Sequence, residues 1–438
     1  MKFYNQDENQ KVEDVGESGG GFQFKPVHGI GLGIVAMALI GAWIYDNNSL
    51  QLLGLFSGGT SGIVSTDMDQ VDSKLTAFYI ARDSNLYGLE YPWAQKQWSQ
   101  VTGTGGRPAV AKGSGIATYL NTINGTPEVF YLAATSQGEH VEQLWGSTWS
   151  SNDLTSATRA PAAATGSRLV GHIDSCANTD NLFYVGSDQH IRLLTWTPTR
   201  GWTSADLTRA SRTGGALGTA LIGHLTGASE EVFYFDARKH VHELWRWSGC
   251  PNGPRFDGWH NSDLNVANGN GAPNAMAASP LAGFYDAKAN ADAIFYIDTS
   301  GELRELFFSP SSWSNIDVTK VSGGPRPAAG SSLVAHVNTI AASEEVYFTD
   351  ADSNVREVWA WSTSARAWNA PSYTINGQAG GAPAAAPGSP LATDMNTLAN
   401  SDEVYYIGVD KEAHLLSWNQ TWSSTDITAA SGAPSPVP

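Results

Sequence analysis

The chain has 438 residues with a net charge of −17 at pH 7; 16 residues are tryptophan and only 15% are charged. Low charge combined with abundant aromatic residues excludes a disordered chain. The acidic balance, without a lysine and arginine cluster, argues against a nucleic-acid partner, because phosphates are bound by basic side chains.

The N-terminal region predicts a membrane anchor. Residues 1–27 are polar and glycine-rich, which is typical of a disordered tail, and residues 29–45 (GIGLGIVAMALIGAWIY) carry no charge. We predict a transmembrane signal anchor over residues 28–46 and a linker over 47–56. A cleaved signal peptide and a buried core helix are the alternatives. Lys25 precedes the span and no lysine or arginine follows it before Lys74, which predicts a cytosolic N-terminus and an extracellular or luminal remainder.

From residue 57 to residue 433 the chain is one repeat, present seven times with a period of about 55 residues. Its most regular feature is an apolar–aromatic–aromatic triplet. The triplets are AFY (77–79), VFY (129–131), LFY (182–184), VFY (232–234), IFY (294–296), VYF (346–348) and VYY (404–406). A strand of small and apolar residues precedes each triplet. A turn with Asp, Asn or Gly, a third strand and a lone tryptophan follow it.

Each unit therefore holds four short strands joined by turns, which is the signature of a propeller blade. We predict an all-β, seven-bladed propeller of four-stranded antiparallel blades, with residues 434–438 as a tail. A six-bladed ring is the alternative if the first unit packs irregularly. The lone tryptophans are Trp98, Trp149, Trp202, Trp259, Trp313, Trp368 and Trp422, often followed by DLT or DIT.

Three stretches resemble a known family: EEVFYFDARKHVHELW (230–245), DAIFYIDTSGELREL (292–306) and EEVYFTDADSNVREVW (344–359). Their pattern is similar to that of the fungal fucose-specific lectins of the Aleuria type, and the likeness covers nearly all of residues 57–433. The resemblance implies a sugar held between neighbouring blades. Its ligands would be an arginine just before the triplet, a glutamate on the third strand and aromatic residues of the next blade. That family has six blades, whereas this chain has seven units.

This chain contains some of the family's sugar-binding residues and lacks others. The third-strand position holds Glu243, Glu305 and Glu357, with Gln143 in a fourth unit, and the next-blade partners are Trp313, Trp368, Trp422 and Trp202 respectively. The arginine position instead holds Thr76, Glu128, Asn181, Glu231, Ala293, Glu345 and Glu403. We therefore predict shallow inter-blade sites for glycans or glycoproteins, without an expected fucose preference. The alternative is a protein-interaction scaffold derived from a lectin fold.

A polar column marks the ends of the first strands: Asp67, Tyr119, His172, His224, His336 and Asp394. We predict that it rings the central channel, too widely spaced to converge on a metal. No metal and no cofactor is expected.

Cys176 and Cys250 fall in loops at the same end of adjacent units, which allows a disulfide; two thiols are the alternative. Sequons at Asn124 and Asn419 predict N-glycosylation, while a third at Asn47 lies too near the predicted span.

No zinc-peptidase motif and no glycine-rich phosphate loop is present in the sequence, and neighbouring carboxylates such as Glu230 and Glu231 face opposite ways in a strand. We expect a binding protein rather than an enzyme, with a hydrolase as the least favoured alternative.

Overall fold

The computed structural model describes residues 63–69, 74–93, 98–248, 258–269, 271–308, 312–363 and 366–436, with side chains from Thr76 onward. Seven antiparallel sheets, called blades 1 to 7 in chain order, confirm the predicted seven-bladed propeller. Strands in every blade are hydrogen-bonded in sequence order, so each blade is an up-and-down meander.

Blades 1 to 4 each contain four strands in the described residues. Blade 1 has β1 (Ile63–Asp69), β2 (Lys74–Ile80), β3 (Leu86–Glu90) and β4 (Trp98–Gln100). Blade 2 has β5 (Ile116–Asn121), β6 (Thr126–Thr135), β7 (Gly138–Trp145) and β8 (Ser150–Asp153). Blade 3 has β9 (Leu169–Asp174), β10 (Thr179–Val185), β11 (Ile191–Thr197) and β12 (Gly201–Asp206). Blade 4 has β13 (Leu221–Leu225), β14 (Ser229–Phe235), β15 (Val241–Trp247) and β16 (His260–Asp263).

Blades 5 and 7 follow the same plan, whereas blade 6 has three strands in the described residues. Blade 5 has β17 (Leu281–Asp286), β18 (Ala291–Ile297), β19 (Leu303–Phe308) and β20 (Trp313–Asp317). Blade 6 has β21 (Leu333–Asn338), β22 (Ser343–Thr349) and β23 (Val355–Trp361). Blade 7 has β24 (Leu391–Asn396), β25 (Ser401–Ile407), β26 (Ala413–Trp418) and β27 (Trp422–Asp426). A single bridge between Trp359 and Asn369 takes the place of the fourth strand of blade 6.

Short helices follow the last strand of several blades. They are α1 (Leu154–Thr158), α2 (Leu207–Ala210), α3 (Val318–Ser322), α4 (Ile375–Gln378) and α5 (Ile427–Ser431), with one 3₁₀ turn at Ala267–Gly269. The DLT-type motifs explain them. Asp206, for example, caps α2 by accepting from the backbone N–H of Arg209, and the Thr208 hydroxyl accepts from the N–H of Ile191 in the third strand. The motif thus joins the fourth strand to the third.

The core lies between the blades rather than inside them. Seven buried apolar clusters each combine side chains of two neighbouring blades, including one that joins blade 7 to blade 1. A blade has two apolar faces, so only a closed ring covers all of them.

The C-terminal residues close the ring. The hydroxyl of Tyr79 in β2 donates to the carbonyl of Pro434 (2.6 Å), and Ala81 forms a bridge with Pro436. The same contact recurs inside the ring, where Tyr131 donates to Pro108 (3.0 Å). The repeat pattern therefore continues to Pro436, three residues beyond the predicted boundary at residue 433.

The membrane prediction requires a correction. Within the described residues, no helix is long and apolar enough to cross a membrane. The helices have four or five residues, about 6–8 Å of rise, against a hydrocarbon core of about 30 Å. On this finding the predicted localisation, a single-pass membrane protein with a cytosolic N-terminus, is wrong. It relied on local hydropathy at residues 28–46, which lie outside the described residues together with the predicted tail (1–27) and linker (47–56).

Candidate functional site

One aromatic contact is repeated at all seven blade interfaces. The middle aromatic residue of each triplet meets the edge or face of a tryptophan from the next blade, with ring centroids 5.4–6.3 Å apart and interplanar angles of 75–89°. This T-shaped geometry is the favoured arrangement of aromatic pairs. The pairs are Phe78–Trp149, Phe130–Trp202, Phe183–Trp259, Phe233–Trp313, Phe295–Trp368, Tyr347–Trp422 and Tyr405–Trp93. Trp93, not the predicted Trp98, serves this role in blade 1.

Strand register brings the predicted polar residues to the same interfaces. In four blades the residue opposite the middle aromatic is Gln143, Glu243, Glu305 or Glu357, paired with Phe130, Phe233, Phe295 and Tyr347 respectively. The other three blades have Gly88, Leu193 and Leu415 there. Each predicted Glu or Gln therefore shares an aromatic neighbour with its predicted tryptophan.

The Glu305 site is closed by protein groups. The indole Nε1 of Trp368 donates to Glu305 Oε2 (2.7 Å), and Arg366 Nη2 lies 3.0 Å from Glu305 Oε1. Arg366 also contacts Glu344 and sits 3.8 Å from the centroid of the Phe307 ring. Burial raises the pKa of Glu305, and the nearby guanidinium opposes that rise. Because Glu305 is fully buried, a sugar does not reach its carboxylate in this arrangement.

Gln143 and Glu243 are also enclosed. Gln143 accepts from Trp202 Nε1 (3.0 Å) and donates from Nε2 to Glu128 Oε2 (3.1 Å), so both ends of its amide are used. Glu243 and its partner Trp313 are both buried. These two interfaces have the predicted composition and little room for a ligand.

The Glu357 interface between blades 6 and 7 differs from the other three. Glu357 and Trp422 are both partly exposed, and Tyr373 beside them is 40% exposed. Burial, followed by the charges of Glu345 and Asp402, raises the pKa of Glu357 well above its usual range. Burial and the charge of Glu357 raise the pKa of Tyr373, opposed by its hydrogen bond with Trp422. A carboxyl, a phenol and an indole therefore meet at one partly open place.

Tyr373 was not predicted from the sequence. It lies in the segment after β23, where the described residues of blade 6 contain no fourth strand, and Arg356 Nη1 fixes this segment by donating to the Tyr373 carbonyl (3.0 Å). One sequence signal is the replacement, in this unit, of the aspartate that caps the following helix in blades 2, 3, 5 and 7; Thr374 caps α4 instead.

The three histidines of the polar column lie between blades, which corrects their predicted place around the channel. His172 Nε2 lies 2.7 Å from Glu230 of blade 4, His224 Nε2 lies 3.1 Å from Asp292 of blade 5, and His336 Nε2 lies 3.0 Å from Asp402 of blade 7. Side chains of inner strands alternate between the two neighbouring interfaces, so a residue of the first strand reaches the next blade.

Buried charge stabilises these interfaces. Although burial favours neutral imidazole, hydrogen bonds to Asp292 and Glu231 raise the pKa of His224 to about 9, and the charge of Asp402 raises that of His336 to about 10. Glu231 and Glu345 occupy the position where the family's arginine would stand. Each of these glutamates contacts a histidine: Glu231 contacts His224, and Glu345 contacts His336. This contact explains why the position is acidic in blades 4 and 6.

The remaining predicted positions lie in turns. Cys176, after β9, is disulfide-bonded, and its predicted partner Cys250 lies outside the described residues. Asn124, between β5 and β6, and Asn419, between β26 and β27, are exposed. The pairing of Cys176 with Cys250 and the glycosylation of both asparagines stay predictions.

No known protein-family model matches this chain, and no curated protein sequence does. Among solved structures, a lectin from Burkholderia pseudomallei matches with a TM-score of 0.56 and 15% identity, over 86% of this chain and 98% of that chain. The SapL1 lectin bound to alpha methyl fucoside (TM-score 0.47, 14% identity) covers 86% and 98% of the two chains. A mutant Aleuria aurantia lectin bound to alpha-methyl-L-fucoside (0.47, 13%) covers 88% and 98%. The first match supports the propeller fold, and the other two are too distant to carry an argument.

Proposed function

We propose that this propeller binds neutral glycans at the interface of blades 6 and 7, through Glu357, Trp422 and Tyr373. One observation carries the proposal: among the four predicted polar–tryptophan pairs, Glu357–Trp422 is the pair in which both side chains are partly exposed. Sugars present hydroxyl groups to polar side chains and C–H faces to aromatic rings, and this place offers both kinds of surface.

The electrostatics favour an uncharged ligand. A raised pKa favours the protonated carboxyl of Glu357, which is the form that both donates and accepts hydrogen bonds. The chain as a whole carries a net charge of −17, which disfavours acidic sugars. A fucose preference is not part of the proposal, because Glu345 replaces the arginine at this interface and is engaged by Ser343 and Tyr347.

The arrangement of carboxylates supports binding rather than catalysis. Glu230 contacts His172 at the interface of blades 3 and 4, whereas its sequence neighbour Glu231 faces His224 and the next interface. Adjacent carboxylates of one strand therefore serve different interfaces and do not act together on one bond.

A glycan array probed with the full chain tests the proposal. We expect binding to neutral glycans that Glu357→Ala weakens by at least about 3–10-fold and that Trp361→Ala, a change at a 55% exposed tryptophan outside the site, preserves. Binding that Glu357→Ala leaves at full strength contradicts the site assignment. A blank array from folded protein contradicts glycan binding and favours the protein-interaction scaffold.

A further inference from the structure

A contact between the first strand of one blade and the second strand of the next recurs in the ring. The second strand contributes an acid, which is Glu230 in blade 4, Asp292 in blade 5 and Asp402 in blade 7. The preceding blade contributes a histidine each time, so an imidazole that can carry positive charge faces the carboxylate. Blade 3 has Asp180 at this position, and Tyr119 of blade 2 faces it. A phenol donates a hydrogen bond but supplies no positive charge.

A second buried carboxyl lies beside Asp180. Glu128 is opposite Tyr119 in the strand pairing of blade 2. The side-chain amide of Asn121 donates to both acids, with Nδ2 2.9 Å from Glu128 Oε1 and 3.2 Å from Asp180 Oδ2. The four side chains are 0–4% exposed. Two carboxyls, one from each blade, therefore meet around a single amide nitrogen in the closed interface of blades 2 and 3.

Hydrogen-bond donors surround these two carboxyls. Tyr119 Oη donates to Asp180 Oδ1 (2.5 Å), and Gln143 Nε2 donates to Glu128 Oε2 (3.1 Å). Within the described residues, neither carboxyl forms an ion pair with a lysine, an arginine or a histidine. The further neighbours on the packed strands and turns are uncharged as well: Asn124, Ile173 and Trp196.

Two buried carboxylates at this separation repel each other, and one bound proton removes the repulsion while adding a hydrogen bond between them. We propose that the interface of blades 2 and 3 is a pH-operated latch, in which Glu128 and Asp180 hold one proton between them and loss of that proton loosens the contact between the blades. The inference is independent of the proposed glycan site, which lies between blades 6 and 7.

The electrostatics of the pair agree with this proposal. Burial raises the pKa of Asp180 well above its usual range, and the charge of Glu128 adds to the rise. Burial also raises the pKa of Glu128, although hydrogen bonds with Asp180, Asn121 and Gln143 oppose it. The pair therefore keeps one proton to a higher pH than either acid would alone. In the unfolded chain the two acids have ordinary pKa values of 3.8 and 4.5, so the folded state loses stability as the pH rises above this range.

The interface of blades 6 and 7 shows the arrangement that needs no such proton. His336 lies opposite Glu345 in the strand pairing, as Tyr119 lies opposite Glu128. His336 Nε2 is 3.0 Å from Asp402 and 3.6 Å from Glu345, so one imidazole stands between the two acids. Its positive charge offsets their repulsion, which the phenol at the interface of blades 2 and 3 does not do.

The latch is connected to the Gln143–Trp202 pair. Gln143 donates from Nε2 to Glu128 Oε2 (3.1 Å) and accepts at Oε1 from Trp202 Nε1 (3.0 Å). The Trp202 indole of blade 3 is therefore two hydrogen bonds away from the shared proton. Loss of the proton changes the surroundings of this indole, which provides a local spectroscopic signal.

Urea unfolding of the full chain at several pH values from about 5 to about 7 tests the proposal, with Asp180→Asn as the variant. The asparagine amide keeps an acceptor for Tyr119 and a donor for Glu128, but it binds no proton in this range. The unfolding equilibrium constant of the unaltered chain should therefore rise by up to about 10-fold more per pH unit than that of Asp180→Asn. All other titrating groups are common to both chains, so their contributions cancel.

Tyr119→Phe is the matched control, because it removes the donor to Asp180 and leaves both carboxyls in place. It should lower the stability of the ring and keep the pH dependence of the unaltered chain. Equal pH dependence of the unaltered chain and Asp180→Asn would overturn the proposal.

Nitrogen-15 spectra of the tryptophan indole groups provide a second measurement, with Trp202→Phe to assign the resonance. The Trp202 indole should shift with pH in the unaltered chain and stay in place in Asp180→Asn, because only the unaltered chain loses the shared proton. A Trp202 resonance that does not move with pH in the unaltered chain, or that moves equally in both chains, would also overturn the proposal.

Discussion

The indole of Trp368 in blade 6 donates a hydrogen bond of 2.7 Å to the buried carboxylate of Glu305 in blade 5. This bond joins two blades through two side chains that the family resemblance assigns to ligand binding. It shows that one residue pattern builds both the inter-blade core and, where the interface is less closed, a candidate binding surface.

We predict that Trp368→Phe destabilises the ring by about 1–3 kcal/mol, because it removes the partner of a buried carboxylate oxygen. The phenyl ring retains the contact with Phe295 but is smaller than the indole, so the loss combines the hydrogen bond with the vacated volume. Urea denaturation measures the effect. Trp361→Phe, at a 55% exposed position, is the control and should change stability by less than about 0.5 kcal/mol. Equal stability of the two variants would contradict the assigned role.

Glu357→Gln should preserve glycan affinity, whereas Glu357→Ala should weaken it about 3–10-fold or more, the value of one neutral hydrogen bond. The reason is that the raised pKa of Glu357 favours its protonated form, which resembles an amide in shape and hydrogen bonding. Affinity measured by calorimetry with a glycan identified on the array decides the point. Loss of binding by Glu357→Gln would show that the ionised form is required.

The ring should be more stable near pH 5.5 than near pH 8.5. The pKa of His336 is about 10 against its ordinary 6.5, so its stabilisation is complete below pH 6.5 and declines as pH rises toward 10. Burial raises the pKa of Asp402 from 3.8 to about 7. The folded state therefore loses stability as the pH rises from 3.8 to 7. Glu345 acts in the opposite direction. Although burial opposes it, contacts with His336 and Asp402 lower its pKa to about 2, and this stabilisation is lost only below pH 4.5.

Urea midpoints at the two pH values check this prediction. His336→Gln should flatten the alkaline decline, whereas His190→Gln, at a partly exposed outer position, should leave it in place. A midpoint that rises between pH 5.5 and pH 8.5 would contradict the assignment of buried charge at the interface of blades 6 and 7.

Truncation after Gly432 should lower the free energy of unfolding by about 1–3 kcal/mol, since it removes the contacts of Pro434 and Pro436 with blade 1. Tyr79→Phe removes the hydroxyl contact alone and should cause a smaller loss. Calorimetric melting of both variants measures the difference. An unchanged melting temperature after truncation would mean that ring closure does not depend on these residues.

Much of the fold follows from the sequence because each unit repeats the same short-range signals. The triplet defines the second strand, and the Asp and Thr of the DLT motif fix the end of the fourth strand to the third. Strand alternation then places Phe295 and Glu305 on the same face of blade 5. These are local rules with a period of two, so they can be read without tertiary information.

Other features depend on contacts that no local pattern encodes. Arg366 reaches Glu305 from a loop with a positive φ of 47°, and loop geometry does not follow strand periodicity. Tyr373 joins the candidate site because blade 6 has no fourth strand in the part of the chain that the structure describes. Two of the four acidic residues before the triplets, Glu231 and Glu345, contact a histidine on the neighbouring strand of their own blade, which identifies their role only once the sheet is assembled.

Nitrogen-15 spectra of the tryptophan indole groups, recorded while an array-identified glycan is added to the full chain, test the central claim most directly. Trp→Phe variants assign the resonances. The account predicts that the Trp422 indole shifts with glycan concentration while the Trp368 indole, buried and bonded to Glu305, stays in place. A shift of Trp368 without Trp422, or no indole shift at saturating glycan, would contradict a glycan site between blades 6 and 7.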